Sequence, residues 1–286
     1  MKPAPFAYVR PERLEDAVGV LEERGEGARV LAGGQSLMAT LNMRLSAPEV
    51  LVDIGRVPGL AGIEATGDGL RIGAMTRHAE VEASELVASR APLIASAMPH
   101  IAHPAVRNRG TFGGSIAFAD PAAELPACAV ALGARMTITG KGGTRTVEAD
   151  AFFRGLYETA LEPGEVLTAV EVPGIAAGWK SGFMELSRRH GDYAMLGLAA
   201  HVEMEDGRFG RGRLVFFGAG ERPVSAVRSA ALLEGERWSD ALGAGLADAL
   251  REELDPFEDL NADAAMRRHL AGVLARRTLG PLAAAT

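Results

Sequence analysis

HPAVRNRGTFGGSIAFADPAAELP, residues 103–126, is the stretch on which the reading of this chain turns. Pro104, Gly110, Gly113 and Gly114 make its first half loop-like. Thr111 and Ser115 bracket the Gly113-Gly114 pair, so backbone amides and two hydroxyls are offered together, a combination that suits a phosphate or a polyol. Asp120 and Glu124 can accept hydrogen bonds from sugar-type hydroxyls. A plainer reading makes Asp120-Pro121 a turn and Glu124 a first-turn carboxylate that complements the helix dipole. Arg107 and Arg109 read as solvated loop arginines. Glu124–Leu132 is an apolar helix, and within it Cys128, the chain's single cysteine, reads as a small buried hydrophobe.

A second glycine pair lies upstream, in Ala32-Gly33-Gly34-Gln35-Ser36, between a short strand (29–31) and a helix (36–43). Tandem glycines allow positive φ and close backbone approach, and Ser36 can cap the helix, whose N-terminus favours an anion. No lysine follows the glycines, and the spacing is not GxGxxG, so neither a P-loop nor a Rossmann fingerprint is present. A pyrophosphate cradle and a plain capped turn both fit these residues.

Outward from these loops, residues 6–10, 12–25, 29–31, 36–43 and 50–54 alternate strand and helix, which predicts a small α/β unit. Strands at 70–72, 135–139, 144–148 and 165–172, with helices at 76–82 (capped by Thr76), 86–97 and 124–132, predict a more antiparallel second unit. Pro173-Gly174 through Gly178 marks a boundary. Beyond it, strands at 182–187, 197–204 and 212–217 and helices at 225–233, 239–253 and 262–279 form an α+β unit of ordinary domain size.

Composition narrows the classes. The net charge of −7 in 286 residues argues against nucleic-acid binding, which needs a basic face. One cysteine excludes a disulfide within the chain and cannot supply the roughly four thiolates of an iron–sulfur cluster. The six histidines lack zinc-ligand spacing, so no metal site is expected. No secretory signal or membrane span is legible, and a cytoplasmic protein is expected.

AGGQS (32–36), LVDI (51–54), the 103–126 stretch and SRRHGDYAMLGLAA (187–200), in this order and across nearly the whole chain, resemble the FAD-binding medium subunit of the xanthine dehydrogenase and carbon monoxide dehydrogenase family of molybdenum hydroxylases. The resemblance implies an α+β chain. A two-subdomain FAD-binding fold of the vanillyl-alcohol oxidase or PCMH type would span residues 1–174, with subdomains at about 1–57 and 58–174. A smaller CO dehydrogenase flavoprotein-like domain would span 178–282. It also implies that Ala32, Gly33, Gly34, Gln35 and Ser36 hold the FAD pyrophosphate. Thr111, Gly113, Gly114 and Ser115 would form the second phosphate loop, and Asp120 or Glu124 would bind ribityl or ribose hydroxyls. Leu167 would pack on the cofactor and Tyr193 would lie close to the isoalloxazine ring.

Relatives often carry His at the place of Gln35 and Lys at the place of Glu185; the second departure leaves flavin potential and electron acceptor open. By the same likeness, the molybdenum–pterin centre sits on a large partner subunit and two [2Fe–2S] clusters on a small one, in a dimer of heterotrimers. The reactive group is then the cofactor and no side chain is expected to act as catalyst. A stand-alone flavin oxidase of the vanillyl-alcohol oxidase type is the alternative, although neither glycine loop contains the His or Cys of a covalent flavin link. A nucleotide-binding or scaffold module without flavin is a third.

Overall fold

A computed structural model describes residues 2–67 and 69–284. The chain opens with β1 (Ala7–Val9), α1 (Leu14–Arg24), β2 (Ala28–Leu31), α2 (Leu37–Asn42) and β3 (Val50–Asp53). The three strands form a parallel sheet in the order β1-β3-β2. Central β3 is a run of Val and Leu, fully buried at Val50, Leu51 and Val52, as a strand covered on both faces requires. Helix α1 buries Ala17, Val18 and Leu21 on one face and is stopped at Gly25, whose φ of 49° breaks the α-helical run before a short 3-10 turn over Gly25–Gly27.

The second unit follows. It runs through β4 (Ile63–Thr66), β5 (Gly69–Gly73), α3 (His78–Glu82), α4 (Glu85–Arg90), α5 (Pro92–Ala97), α6 (Pro104–Arg107), α7 (Phe112–Phe118) and α8 (Glu124–Leu132). Then come β6 (Arg135–Gly140), β7 (Gly143–Glu148), α9 (Ala149–Phe152), the hairpin β8 (Phe153–Gly155) and β9 (Glu158–Thr159), and β10 (Val166–Val172). Its sheet has the order β4-β5-β10-β6-β7 and is antiparallel throughout.

Residues 86–97, expected as one helix, form two. The break falls at Ala91 (φ −134°, ψ 59°), since the ring of Pro92 disfavours helical geometry in the residue before it. Thr76 does not cap α3; its hydroxyl bonds both the amide and the carbonyl of Gly62. The loop expected at 103–114 contains the single turn of α6 and the start of α7, so Gly113 and Gly114 lie in the first turn of a helix.

The last part is β11 (Trp179–Leu186), β12 (Leu196–Glu205), β13 (Arg208–Phe217), β14 (Val224–Ser225), α10 (Val227–Ala231), α11 (Asp240–Glu253) and α12 (Ala264–Ala284). Its antiparallel sheet runs β11-β12-β13-β14, and Ser239 caps α11 by accepting from the Leu242 amide at 3.1 Å.

Helix α8 ties the units together. Every one of its nine residues is buried, because α5 and α7 pack on it from one side and β12 and β13 from the other. One continuous apolar cluster therefore runs from Leu70 and Ile72 in β5, through α8, to Ala199, Val215 and Phe217 of the last sheet.

Candidate functional site

The two glycine loops are interlocked. A Cβ on Gly33 would lie inside the shell of the Arg109 carbonyl and 2.8 Å from Gly110 Cα. Gly33 is thus the point where the first loop rests on the backbone of the second. Gly34 turns the chain with φ 71°. After that turn, the amides of Gly34, Gln35 and Ser36 donate to no protein acceptor among the described residues. Three adjacent free amides ahead of a short helix are what an anionic group would satisfy. Ser36 does not cap α2 as expected; its hydroxyl instead interacts with the phenol of Tyr193.

The second loop is built differently. Phe112 N donates to Thr76 O, Gly113 N to Ala74 O, Gly114 N to Thr111 Oγ1 at 3.2 Å and Ser115 N to Thr111 O. Its amides are engaged by the protein; the Thr111 hydroxyl is buried and caps the helix, which leaves the Ser115 hydroxyl as the half-buried polar group of this segment. Gly113 is a packing glycine: a Cβ there would stand 2.5 Å from Ala74 Cα. Gly114 leaves room for the Thr111 cap and lies against Ala32, whose Cβ would be 3.5 Å from a Cβ on Gly114. His78 lies beneath, its ring 2.7 Å from where a Gly110 Cβ would be. Burial, with help from the Arg107 charge, lowers its pKa to about 4.

Arg107, expected to be solvated, is 8% exposed. It pairs with Glu82 at 2.7 Å and donates to the carbonyls of Ile101 (3.0 Å) and Ala102 (2.9 Å). Ala102 holds a left-handed φ of 46°. Its carbonyl lies 3.1 Å from where a Gly191 Cβ would be, and Gly191 itself has φ 86°. A chain of backbone contacts thus runs from Arg107 to the Gly191-Asp192-Tyr193 turn.

Most of the Tyr193 side chain is exposed, but its phenol end is crowded by protein atoms, with Asp120 and Glu124 facing it electrostatically. Burial, with the Asp120 charge behind it, raises its pKa. Asp120 is itself pushed up by burial, opposed by hydrogen bonds from the Ala122 amide and from Tyr157. The Tyr157 hydroxyl donates to Asp120 Oδ2 at 3.3 Å, and its ring meets Phe118 edge-on at 5.2 Å. Burial, then the Asp120 charge, pushes Tyr157 up to about 12.

Tyr157 was not legible in the sequence. It sits at φ 55° on the tip of a hairpin whose strands have three and two residues. Glu124 is 8% exposed, and burial, followed by the nearby Glu185, raises it to about 8. Leu167 is 4% exposed at the β10 bulge, in the apolar cluster that also holds α7.

The structure therefore brings together Ala32 to Ser36, Thr111 to Ser115, Asp120, Glu124 and Tyr193. Leu167 is a core residue next to Thr168, whose carbonyl accepts from the Ala74 amide beneath Gly113. Cys128 is fully buried, as expected, and burial raises its thiol pKa. Among the described residues no helix is long and apolar enough to cross a membrane, and no group of three or more His, Cys, Asp or Glu could hold a metal ion.

A free-amide turn locked onto a hydroxyl-bearing segment, with a tyrosine and two carboxyls alongside, fits a flavin-binding oxidoreductase subunit on an α+β scaffold. The chain belongs to the FAD-binding subunits of molybdenum hydroxylases: residues 4–175 match the FAD binding domain in molybdopterin dehydrogenase, and residues 181–282 the CO dehydrogenase flavoprotein C-terminal domain. It is 39% identical over 280 residues to the 6-hydroxypseudooxynicotine dehydrogenase complex subunit alpha of Paenarthrobacter nicotinovorans, covering 98% of this chain and 95% of the relative. It is 36% identical to the carbon monoxide dehydrogenase medium chain of Hydrogenophaga pseudoflava, covering 98% and 97%. A reconstituted CO dehydrogenase from Oligotropha carboxidovorans contains a chain that superposes with a TM-score of 0.96 at 34% identity, covering 100% of both.

Proposed function

We propose that this chain holds FAD across the two glycine loops and serves as the electron outlet of a heteromeric molybdenum hydroxylase. It would take electrons from [2Fe–2S] clusters on a small subunit and deliver them to an external acceptor, while a large subunit carries out substrate hydroxylation. A dimer of heterotrimers is the assembly that the resemblance implies. FAD supplies chemistry that no side chain has, because it exchanges electrons singly or in pairs.

The protein's own share is binding and orientation. The Gly34, Gln35 and Ser36 amides and the Ser115 hydroxyl would hold the phosphates, and Asp120 and Glu124 the hydroxyl-bearing chain. Tyr193, held by Ser36 and facing Asp120 and Glu124, would cover one face of the ring and limit what reaches it. The observation that carries this reading is the row of free amides at Gly34, Gln35 and Ser36, locked by Gly33 onto the second loop.

The test is the visible spectrum of the purified chain before and after incubation with FAD and desalting. Flavin absorption that survives desalting, and FAD released on denaturation, are expected. A folded chain that stays colourless even when co-expressed with its large and small partners would overturn the reading.

A further inference from the structure

The last helix places a cation just beyond the Tyr193 turn. Arg267, one turn into α12, is 1% exposed and is the largest side chain so completely buried among the described residues. Its Nη1 donates to the carbonyl of Met195 at 2.8 Å and also to the carbonyl of Gly218. Nη2 lies 2.7 Å from Asp259 Oδ1, and the Phe257 ring covers the guanidinium at 4.4 Å. Asp259 is itself held by the amides of Asn261 and Ala262, at 2.8 and 3.1 Å.

Both carbonyls stand just past the end of the β12–β13 ladder, whose last pair is Gly197 with Phe217. They are crowded together: Gly218 has φ 69°, and a Cβ on it would lie 2.8 Å from the Met195 carbonyl oxygen. Converging carbonyls need a donor between them, and one guanidinium nitrogen, with two N–H groups, serves both. Each carbonyl leads to a different part of the site. Met195 closes the Tyr193 turn, its amide donating to Leu186 O at 2.7 Å, while Gly191 opens that turn against the His103 ring and the Ala102 carbonyl. Tyr193 thus stands midway between two anchors. Gly218 reaches the other way, its amide donating to Pro121 O at 2.7 Å, next to Asp120.

Desolvation offsets most of the attraction in a buried ion pair, so net stability is a poor account of this residue. Fixing two carbonyls in one geometry is what a guanidinium does and an apolar side chain cannot. We infer that Arg267 is a positioning residue of the flavin site. Acting through main-chain carbonyls, it sets where Tyr193 stands relative to the Asp120 turn. The effect on flavin rests on FAD occupying the cleft; the brace itself does not.

The test reads the fluorescence of FAD bound to the full chain, because a tyrosine packed on an excited isoalloxazine quenches it by donating an electron. Tyr193→Leu sets the scale by removing the quencher. Arg267→Lys keeps the charge but not the second nitrogen that faces Asp259, and is expected to recover about half of that gain. In the Tyr193→Leu background it is expected to add nothing, since the two residues act as one unit. Leu274→Val, about two turns along the same buried face of α12, lowers stability in urea without touching either carbonyl and leaves emission at the wild-type level. Without FAD, hydrogen exchange is expected to quicken at residues 191–197 and 216–222 in R267K and not in L274V.

Wild-type emission in R267K, an equal rise in L274V, or a further rise in the double variant would each overturn the inference. If R267K does not fold, Asp259→Asn takes its place, because Asp259 stands on the more exposed side of the guanidinium; emission has to rise there or the inference falls. A chain that binds no flavin sinks the cofactor reading alone. Exchange then decides the brace, and unaltered rates at both segments overturn it.

Discussion

Gly33 acts through what it lacks. Its Cα faces the backbone at Arg109 and Gly110, and a methyl group there would have to displace main chain rather than a flexible side-chain tip. Overpacking of this kind costs about 1–3 kcal/mol, and here the displaced loops are the ones that would hold the phosphates. Gly33→Ala is therefore expected to weaken FAD binding by about tenfold or more, which corresponds to ~1.4 kcal/mol, measured by flavin fluorescence titration. Gly245, in α11 with open space around it, is the control. Gly245→Ala should leave FAD binding unchanged and raise stability by about 0.5–1 kcal/mol, since alanine loses less backbone entropy in a helix. Equal affinity in the two variants would refute the interlock.

At the scale of elements, the legible parts were those decided locally. Val50–Asp53 reads as a buried strand because it is a short apolar run, and α8 as a helix because its apolar residues continue without interruption. Helix α7 was missed, because its glycine pair reads as loop, although Thr111 caps it and a β-region threonine ahead of a helix is a signal that short-range rules contain. Arg107 was illegible for the opposite reason. Nothing in VRNRG distinguishes a solvated arginine from one that bonds Glu82, Ile101 and Ala102; only the tertiary arrangement around α3 and α6 does. The Tyr157 hairpin failed likewise, since strands of three and two residues carry no readable alternation. Arg107→Met would strip two carbonyls and a partly buried carboxylate of their donor at once. We expect a loss on the order of 2–4 kcal/mol in urea unfolding. Because Ala102 would then lose the anchor of its left-handed turn, Tyr193 should also become more accessible to chemical modification. Unchanged Tyr193 reactivity in a destabilised variant would confine Arg107 to a purely structural role.

Over the whole molecule, the match to two family domains invites the idea that each part stands alone, and the packing argues otherwise. Helix α8 has no solvent face: the surface not covered by α5 and α7 is covered by β12 and β13. Phe183 of β11 stacks with Phe217 of the same sheet at 5.6 Å and meets the His100 ring of the FAD-binding part at 5.1 Å, so aromatic rings face each other across the seam. Cutting the chain after residue 175 would uncover one side of a wholly apolar helix, together with the neighbouring surface of α5. A contiguous apolar patch of that kind drives association. The same cut removes Tyr193, and with it the partner of Ser36, as well as Glu185 and the carbonyl-bearing Gly218, whose amide donates to Pro121 at 2.7 Å beside Asp120. Residues 1–175 expressed alone should therefore elute as aggregates in size-exclusion chromatography and fail to retain FAD, whereas the full chain elutes as a defined species. A monomeric fragment that stays yellow after desalting would mean that the first two sheets build the flavin site unaided. The last sheet would then serve only as a covering layer, and the tie from Gly218 to Pro121 would be dispensable for binding.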